Sequence, residues 1–191
     1  MRTLIYTTVS LMEKEKWFTY KTKSGLSAAF FILANMKTYT VAEALDKLRK
    51  YCAYQERCHK DVKDKLRKLG MISQAAEQII GTLVSENYLN ETRFSQQFAS
   101  GKFSIKHWGK IRIKTELKIR SVSDYDINNA LKTISASAYL DKIHSISDKK
   151  WEQLDKHSAQ IKKQKLFQYL AYRGWETDLI YQQINRLSRG D

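Results

Sequence analysis

A chain of 191 residues with a formal charge of +14 and a pI near 9.7 points to polyanionic partners, either nucleic acid or an acidic protein surface. Its 42% hydrophobic and 28% charged residues fit a packed soluble fold, and the absence of proline favours an all-α protein. Two cysteines, Cys52 and Cys58, exclude a disulfide framework, and Cys58-His59 lacks a second ligand pair at zinc spacing. Both thiols are read as reduced in a cytoplasmic protein.

In chain order, the apolar run from Gly25 to Met36 (GLSAAFFILANM) is too short to span a bilayer. Lys21 and Lys23 precede it as in a signal peptide, but Ala34-Asn35-Met36 is a poor cleavage site. The preferred reading takes Met36 as the biological start and residues 1–35 as an N-terminal extension from a misplaced start.

From there the chain repeats. With Leu66, Leu117 and Leu170 as anchors, 51 and 53 residues apart, Val62, Ile113 and Leu166 lie at −4 without a gap. Gly70, Ser121 and Gly174 follow at +4, and Met71, Val122 and Trp175 at +5. Ser73, Asp124 and Thr177 at +7 are good N-cap types. Three apolar positions at +10, +14 and +17 then form the buried stripe of a second helix: Ala76/Ile127/Ile180, Ile80/Leu131/Ile184 and Leu83/Ile134/Leu187.

Each unit therefore reads as helix, tight turn, helix, with a glycine in left-handed geometry at two of the turns. A third helix precedes each pair, over about Val41–Tyr54, Glu91–Phe103 and Tyr139–Gln153. The expected units are 36–89, 90–136 and 137–191.

The stretch GKIRIKTELKIR (Gly109–Arg120) tests this scheme, because its strict apolar alternation argues for a strand. It occupies the slot of His59–Leu69 and Ile161–Arg173, so the repeat predicts a helix with Ile113 and Leu117 facing inward. Ile111 and Ile119 fall outside that stripe and are expected against a neighbouring unit or a partner.

Several segments resemble the signature of the RecX family. Asn87-Tyr88-Leu89-Asn90-Glu91-Thr92-Arg93-Phe94 is similar to its GYLDDERFA-like element. Gly109, Ile113, Glu116-Leu117 and Val122 match a GxxxIxxELxxKGI-like helix, and YLAYRGWETDLI (Tyr169–Ile180) an LxRRGF element. The resemblance runs from about Thr38 to Leu187. Two positions depart from it: Ser121 replaces the usual glycine, which predicts a different helix end, and Ser95 stands where alanine is common.

The resemblance implies three tandem three-helix repeats, helix-turn-helix-like, joined into an elongated curved rod. It implies a monomeric regulator of the RecA recombinase that occupies the groove of the RecA–DNA filament. Such a protein inhibits ATP hydrolysis, strand exchange and LexA cleavage, and so regulates DNA repair and recombination. The rivals are a general basic DNA-binding module and a helical-repeat adaptor for another acidic protein.

Candidate contact residues follow from charge. Lys102, Lys106, Lys110, Arg112, Lys114, Lys118 and Arg120 face a single Glu116, a net +6 in nineteen residues. Such single-sign crowding suggests an acidic partner. Lys149, Lys150, Lys162, Lys163 and Lys165 form a second, weaker cluster. Tyr172 and Ile119 share position +2 and are candidates for the same surface, whereas Trp175 and most other aromatics, Phe94 and Phe98 among them, read as core.

No nucleotide-binding, zinc-protease or nucleophile-elbow motif occurs, and His59, His107, His144 and His157 are scattered. The expectation is a protein without catalytic residues, metal or cofactor. Helices carrying Glu77, Asp124, Asp126 and Asp178 are poor major-groove readers, which disfavours a sequence-specific helix-turn-helix.

Overall fold

The computed structural model describes residues 39–189, so the readings of residues 1–35 and of Met36 lie outside it. The described residues form nine helices and no strand. They are α1 (Val41–Tyr54), α2 (His59–Lys68), α3 (Ser73–Ser85), α4 (Glu91–Lys106), α5 (Lys110–Ile119), α6 (Asp124–Lys132), α7 (Ala136–Glu152), α8 (Ala159–Tyr172) and α9 (Thr177–Ser188). None is long and apolar enough to cross a membrane. The helices form three triplets, and the closest helix pairs all lie within a triplet.

The first helix of each triplet is capped by a side chain. Thr40 and Glu43 form a reciprocal capping box, with Thr40 N–H donating to Glu43 Oε2 (2.9 Å) and Glu43 N–H to Thr40 Oγ1 (3.2 Å). Asn90 Oδ1 accepts from Arg93 N–H at 2.9 Å and Ser135 Oγ from Ala138 N–H at 3.3 Å. The Ser135 cap explains why α7 starts at Ala136 and not at Tyr139.

The second helices end alike. Met71, Val122 and Trp175 donate their N–H groups to the carbonyls of Leu66, Leu117 and Leu170 (3.1, 3.2 and 3.3 Å). Each loop closes around a left-handed residue: Gly70 at φ +78°, Ser121 at +60° and Gly174 at +76°. Ser121 thus adopts the glycine geometry, contrary to the expected departure. Its N–H donates to the Lys118 carbonyl at 2.9 Å, while an L-residue in this region costs about 1–2 kcal/mol.

The third helices start one residue earlier than expected. Ser73, Asp124 and Thr177 are the first helical residues, and the caps are Ile72, Ser123 and Glu176. Only Ser123 among them caps with its side chain, accepting from Asp126 N–H at 3.1 Å.

Gly109–Arg120 is helical as the repeat requires, and Ile113 and Leu117 are fully buried. Ile111 and Ile119 are 51% and 58% exposed. A further position is buried in every triplet: Ile79, Ala130 and Gln183, at +13 from the anchors.

Two hydrophobic cores result. One belongs to the first triplet and gathers Ala44, Leu48, Cys52, Val62, Leu66, Ile79, Leu83 and Leu89. The other runs continuously through the second and third triplets, from Phe94 and Phe103 through Tyr139 and Trp151 to Trp175 and Ile184.

The second and third triplets also meet backbone to backbone. Gly109 N–H donates to the Arg173 carbonyl (2.8 Å) and Ile111 N–H to the Gly174 carbonyl (3.1 Å). A Cβ on Gly109 would lie 2.2 Å from the Gly174 carbonyl oxygen, and one on Gly174 would lie 2.4 Å from the Arg112 nitrogen. Trp175 Nε1 donates to the His107 carbonyl at 3.2 Å. The Tyr139 hydroxyl accepts from Lys110 N–H (2.8 Å) and donates to Glu176 Oε2 (2.7 Å). Its ring lies 4.4 Å from that of Trp175, and burial pushes the phenol pKa well up.

The first and second triplets meet through polar groups. Arg93 Nε donates to Glu56 Oε1 at 2.5 Å, and its two other guanidinium nitrogens reach Asn87 Oδ1 and the Asn87 carbonyl at 3.0 Å each. His59 Nδ1 meets Glu91 Oε2 at 2.5 Å, and Lys60 Nζ donates to the Ile119 carbonyl at 2.8 Å. One apolar link crosses this joint: Cys58, which caps α2, is buried in the core of the other two triplets. Burial pushes its thiol pKa up to about 11.

The segment Asn87–Phe94 makes this joint. Leu89 enters the first core, Asn90 caps α4, Arg93 clamps both turns and Phe94 enters the second core. Ser95, fully buried, directs its hydroxyl to the Thr92 carbonyl at 2.9 Å.

Candidate nucleic-acid interface

The basic run of α5 gains its form from rings contributed by its neighbours. Arg120 lies 4.9 Å from the centre of the Phe98 ring on α4. Lys102, one turn beyond Phe98, reaches both Phe98 and Trp108 at 5.2 Å. Arg112 sits 4.3 Å from Trp108 and 4.6 Å from Tyr172 at the end of α8.

Arg120, Phe98, Lys102, Trp108, Arg112 and Tyr172 therefore form a ladder of alternating cations and rings across the second and third triplets. Phe98 and Trp108 meet edge-on at 6.3 Å. Arg112 is fixed by a hydrogen bond to the Tyr172 carbonyl at 2.7 Å. Tyr172 is 73% exposed at one end. At the other end, Arg120, Lys102 and Lys106 line a cleft of about 350 Å³ with Phe98, Gln97 and Arg57.

A ring face holds a cation without neutralising it, so the ladder orders its guanidinium and ammonium groups while leaving them charged. Arg120 is the exception, pairing with Glu116 at 2.8 Å. Ordered cations beside ring faces suit a backbone of phosphates carrying unstacked bases.

The remaining candidates are placed differently. Lys110 lies over the Tyr139 ring at 4.6 Å. Lys118 pairs with Asp124 at 3.3 Å, Lys114 is exposed, and Lys163 is half-buried on α8. Lys162 is turned inward: it is 7% exposed, pairs with Asp155 at 3.2 Å and lies over Trp151 at 4.7 Å. It is a structural cation and not a contact residue.

Phe98 and Trp108, read from the sequence as core, do pack against it, but they are half-buried and also carry the ladder. The i, i+4 pair Phe98/Lys102 on α4 carried the signal for this, since residues four apart on a helix are neighbours, whereas Trp108 lies in the turn before α5. Among the described residues no group of three His, Cys, Asp or Glu side chains could hold a metal ion.

Comparison with known proteins bears on these same units. The family model for the second three-helix domain of RecX matches residues 90–131, and that for the third matches residues 137–184. The chain belongs to the RecX family. Its curated relatives include the Regulatory protein RecX of Clostridioides difficile, 24% identical over 149 residues that make up 78% of this chain and 70% of that protein. The Bacillus licheniformis protein is 27% identical over 73% of this chain but only 53% of its own length, and that of Leuconostoc mesenteroides 24% identical over 55% of its length. The chain thus spans little more than half of these two RecX proteins.

The RecX helical-repeat fold is also seen in solved structures. RecX from Lactobacillus salivarius superposes with a TM-score of 0.69 at 23% identity, covering 78% of this chain and 96% of that one. A second regulatory protein RecX gives 0.69 at 17% identity, covering 87% and 80%.

Proposed function

We propose that this RecX-family chain binds the RecA–DNA filament and mostly inhibits RecA ATP hydrolysis, strand exchange and coprotease activity. It acts as a non-enzymatic monomer in the cytoplasm. The regulatory names of its relatives and the charge of +14 support this reading. The observation that carries it is the cation–ring ladder from Arg120 to Tyr172.

Lys102 and Arg112 would meet phosphates and Tyr172 would stack on a base, while exposed Ile111 and Ile119 beside them offer apolar contact to a protein wall. A body lodged across neighbouring protomers opposes the rearrangements that turnover needs. The ladder also fits single-stranded DNA without RecA, which is the alternative reading.

RecA ATP hydrolysis on single-stranded DNA, titrated with the chain, tests both. The expected result is inhibition well below one protein per RecA protomer. Lys102→Ala combined with Tyr172→Ala should need about tenfold more protein, the scale of one lost stacking contact. Naked DNA binding without inhibition of RecA from the same organism would select the alternative. Unchanged inhibition by the folded double variant would remove the ladder from the interface.

A further inference from the structure

A second basic site lies at the far side of the α4–α5 turn, where Trp108 enters the ladder and the adjacent His107 lines a recess of about 210 Å³. That is several times the ~30 Å³ share of a water in the liquid. The recess is walled by Lys142, Ser145, Lys149 and Lys150 of α7 and by Tyr169 of α8. Lys142 and Lys149 are two helical turns apart on one face. Lys150 lies over the Tyr169 ring at 5.4 Å, and Arg173 stacks on the same ring at 3.7 Å.

Among the described residues this charge has no counterpart in the recess. No carboxylate lines the recess, and α8 carries none. On α7, Asp148 is engaged by Arg186 of α9 at 2.5 Å, and Asp141 and Glu152 lie outside the lining. Arg173 Nε is buried without a hydrogen-bond partner, and the His107 ring, whose Nδ1 is buried, has the Phe103 backbone beside it. His107 is held there by its left-handed backbone (φ +55°) at the end of α4. Burial, then Lys142 and Arg173, keep its imidazole pKa below the ordinary value. Crowded like charges repel, and buried polar atoms left unpaired are rare in folded proteins.

We infer that the recess between α7 and the α4–α5 turn binds a phosphate group, with Lys142, Lys149 and Lys150 supplying charge and His107 and Ser145 supplying hydrogen bonds. A free phosphate carries nearly two negative charges and a backbone phosphodiester one; both present strong acceptor oxygens on a compact tetrahedron, and lysine meets either as a point charge. The group comes either from a nucleic-acid backbone or from a free phosphate. The site stands independently of RecA binding and of the ladder.

The test follows the histidine ring resonances of the full chain by NMR, with His107→Asn used for assignment. Inorganic phosphate is titrated against chloride at matched ionic strength. The expected result is a saturable shift of His107 at millimolar phosphate, with its imidazole pKa raised, because the bound anion favours the imidazolium. Lys142→Gln with Lys149→Gln should weaken the midpoint at least tenfold with the helical circular dichroism unchanged.

A single-stranded oligothymidylate then separates the sources. A His107 shift at lower concentration that phosphate reverses assigns the backbone. No shift with the oligonucleotide, against a clear one with phosphate, assigns the free anion. A His107 response to phosphate no larger than to chloride, or equal midpoints for the variant and the parent chain, overturns the site.

Discussion

The two joints of this repeat protein are made of different matter. Between the first and second triplets lie a guanidinium clamp, a histidine–glutamate pair and one buried thiol. Between the second and third lie a shared hydrophobic core, the Phe103 ring stacked on that of Tyr139, and backbone hydrogen bonds with no side chain between them. Salt bridges half-open to solvent add little to stability, whereas buried aromatic area and close backbone contact add much. Equal units therefore do not make equal couplings, although stability in such arrays is the sum of both.

The sharpest way to break the comparison is one substitution made twice. Gly70 and Gly174 have the same left-handed backbone, but a Cβ on Gly70 meets nothing within 4 Å, whereas one on Gly174 collides with the Arg112 backbone. Gly70→Ala should destabilise by about 1–2 kcal/mol, the conformational penalty alone. Gly174→Ala must also part the two turns, and we expect a loss above about 4 kcal/mol or failure to fold. Urea unfolding followed by circular dichroism decides; equal losses would mean that the close approach contributes nothing.

A smaller effect is expected at the polar joint. Arg93→Ala removes three hydrogen bonds and leaves Glu56 without its partner. It should cost about 2 kcal/mol. The local signature is Cys58. Its thiol, raised to about 11, is almost wholly protonated at neutral pH, so alkylation is slow in the parent chain. In Arg93→Ala it should quicken toward the rate of a free thiol. If Cys58 stays inert while stability falls, the clamp does not hold this joint.

The smallest effect has the opposite sign. Ser121→Gly relieves an L-residue at φ +60° without disturbing a contact that its backbone makes. We expect a gain of up to about 1 kcal/mol, reduced by the greater freedom of glycine in the unfolded chain. That is a rise of about 2–4 °C in Tm for a protein of this size. A fall in Tm would mean that the serine side chain stabilises the turn.

Much of this design is legible in the sequence, because the features that repeat are chemically alike. The Leu66, Leu117 and Leu170 anchors and the glycines at their turns locate the triplets even where Gly109–Arg120 alternates like a strand. The position at +13 escapes because burial there is satisfied by Ile79, Ala130 and Gln183, which share no hydrophobic signature. Lys162 escapes because a lysine stem buries readily when its charge finds Asp155. The cations of the candidate interface are legible as charge, but their order depends on Tyr172, sixty residues away from Arg112 in the chain. Pattern within one helix does not contain that partner.

The continuous core of the second and third triplets implies a mechanical hierarchy. Drawn out from its ends in an optical trap, the described part of the chain would lengthen in two separate events. The first triplet would yield at low force when its polar joint shears, and the remaining pair would give way later as one block. In the interval between the two, the ladder from Arg120 to Tyr172 would remain assembled, because all six of its members belong to the block that holds.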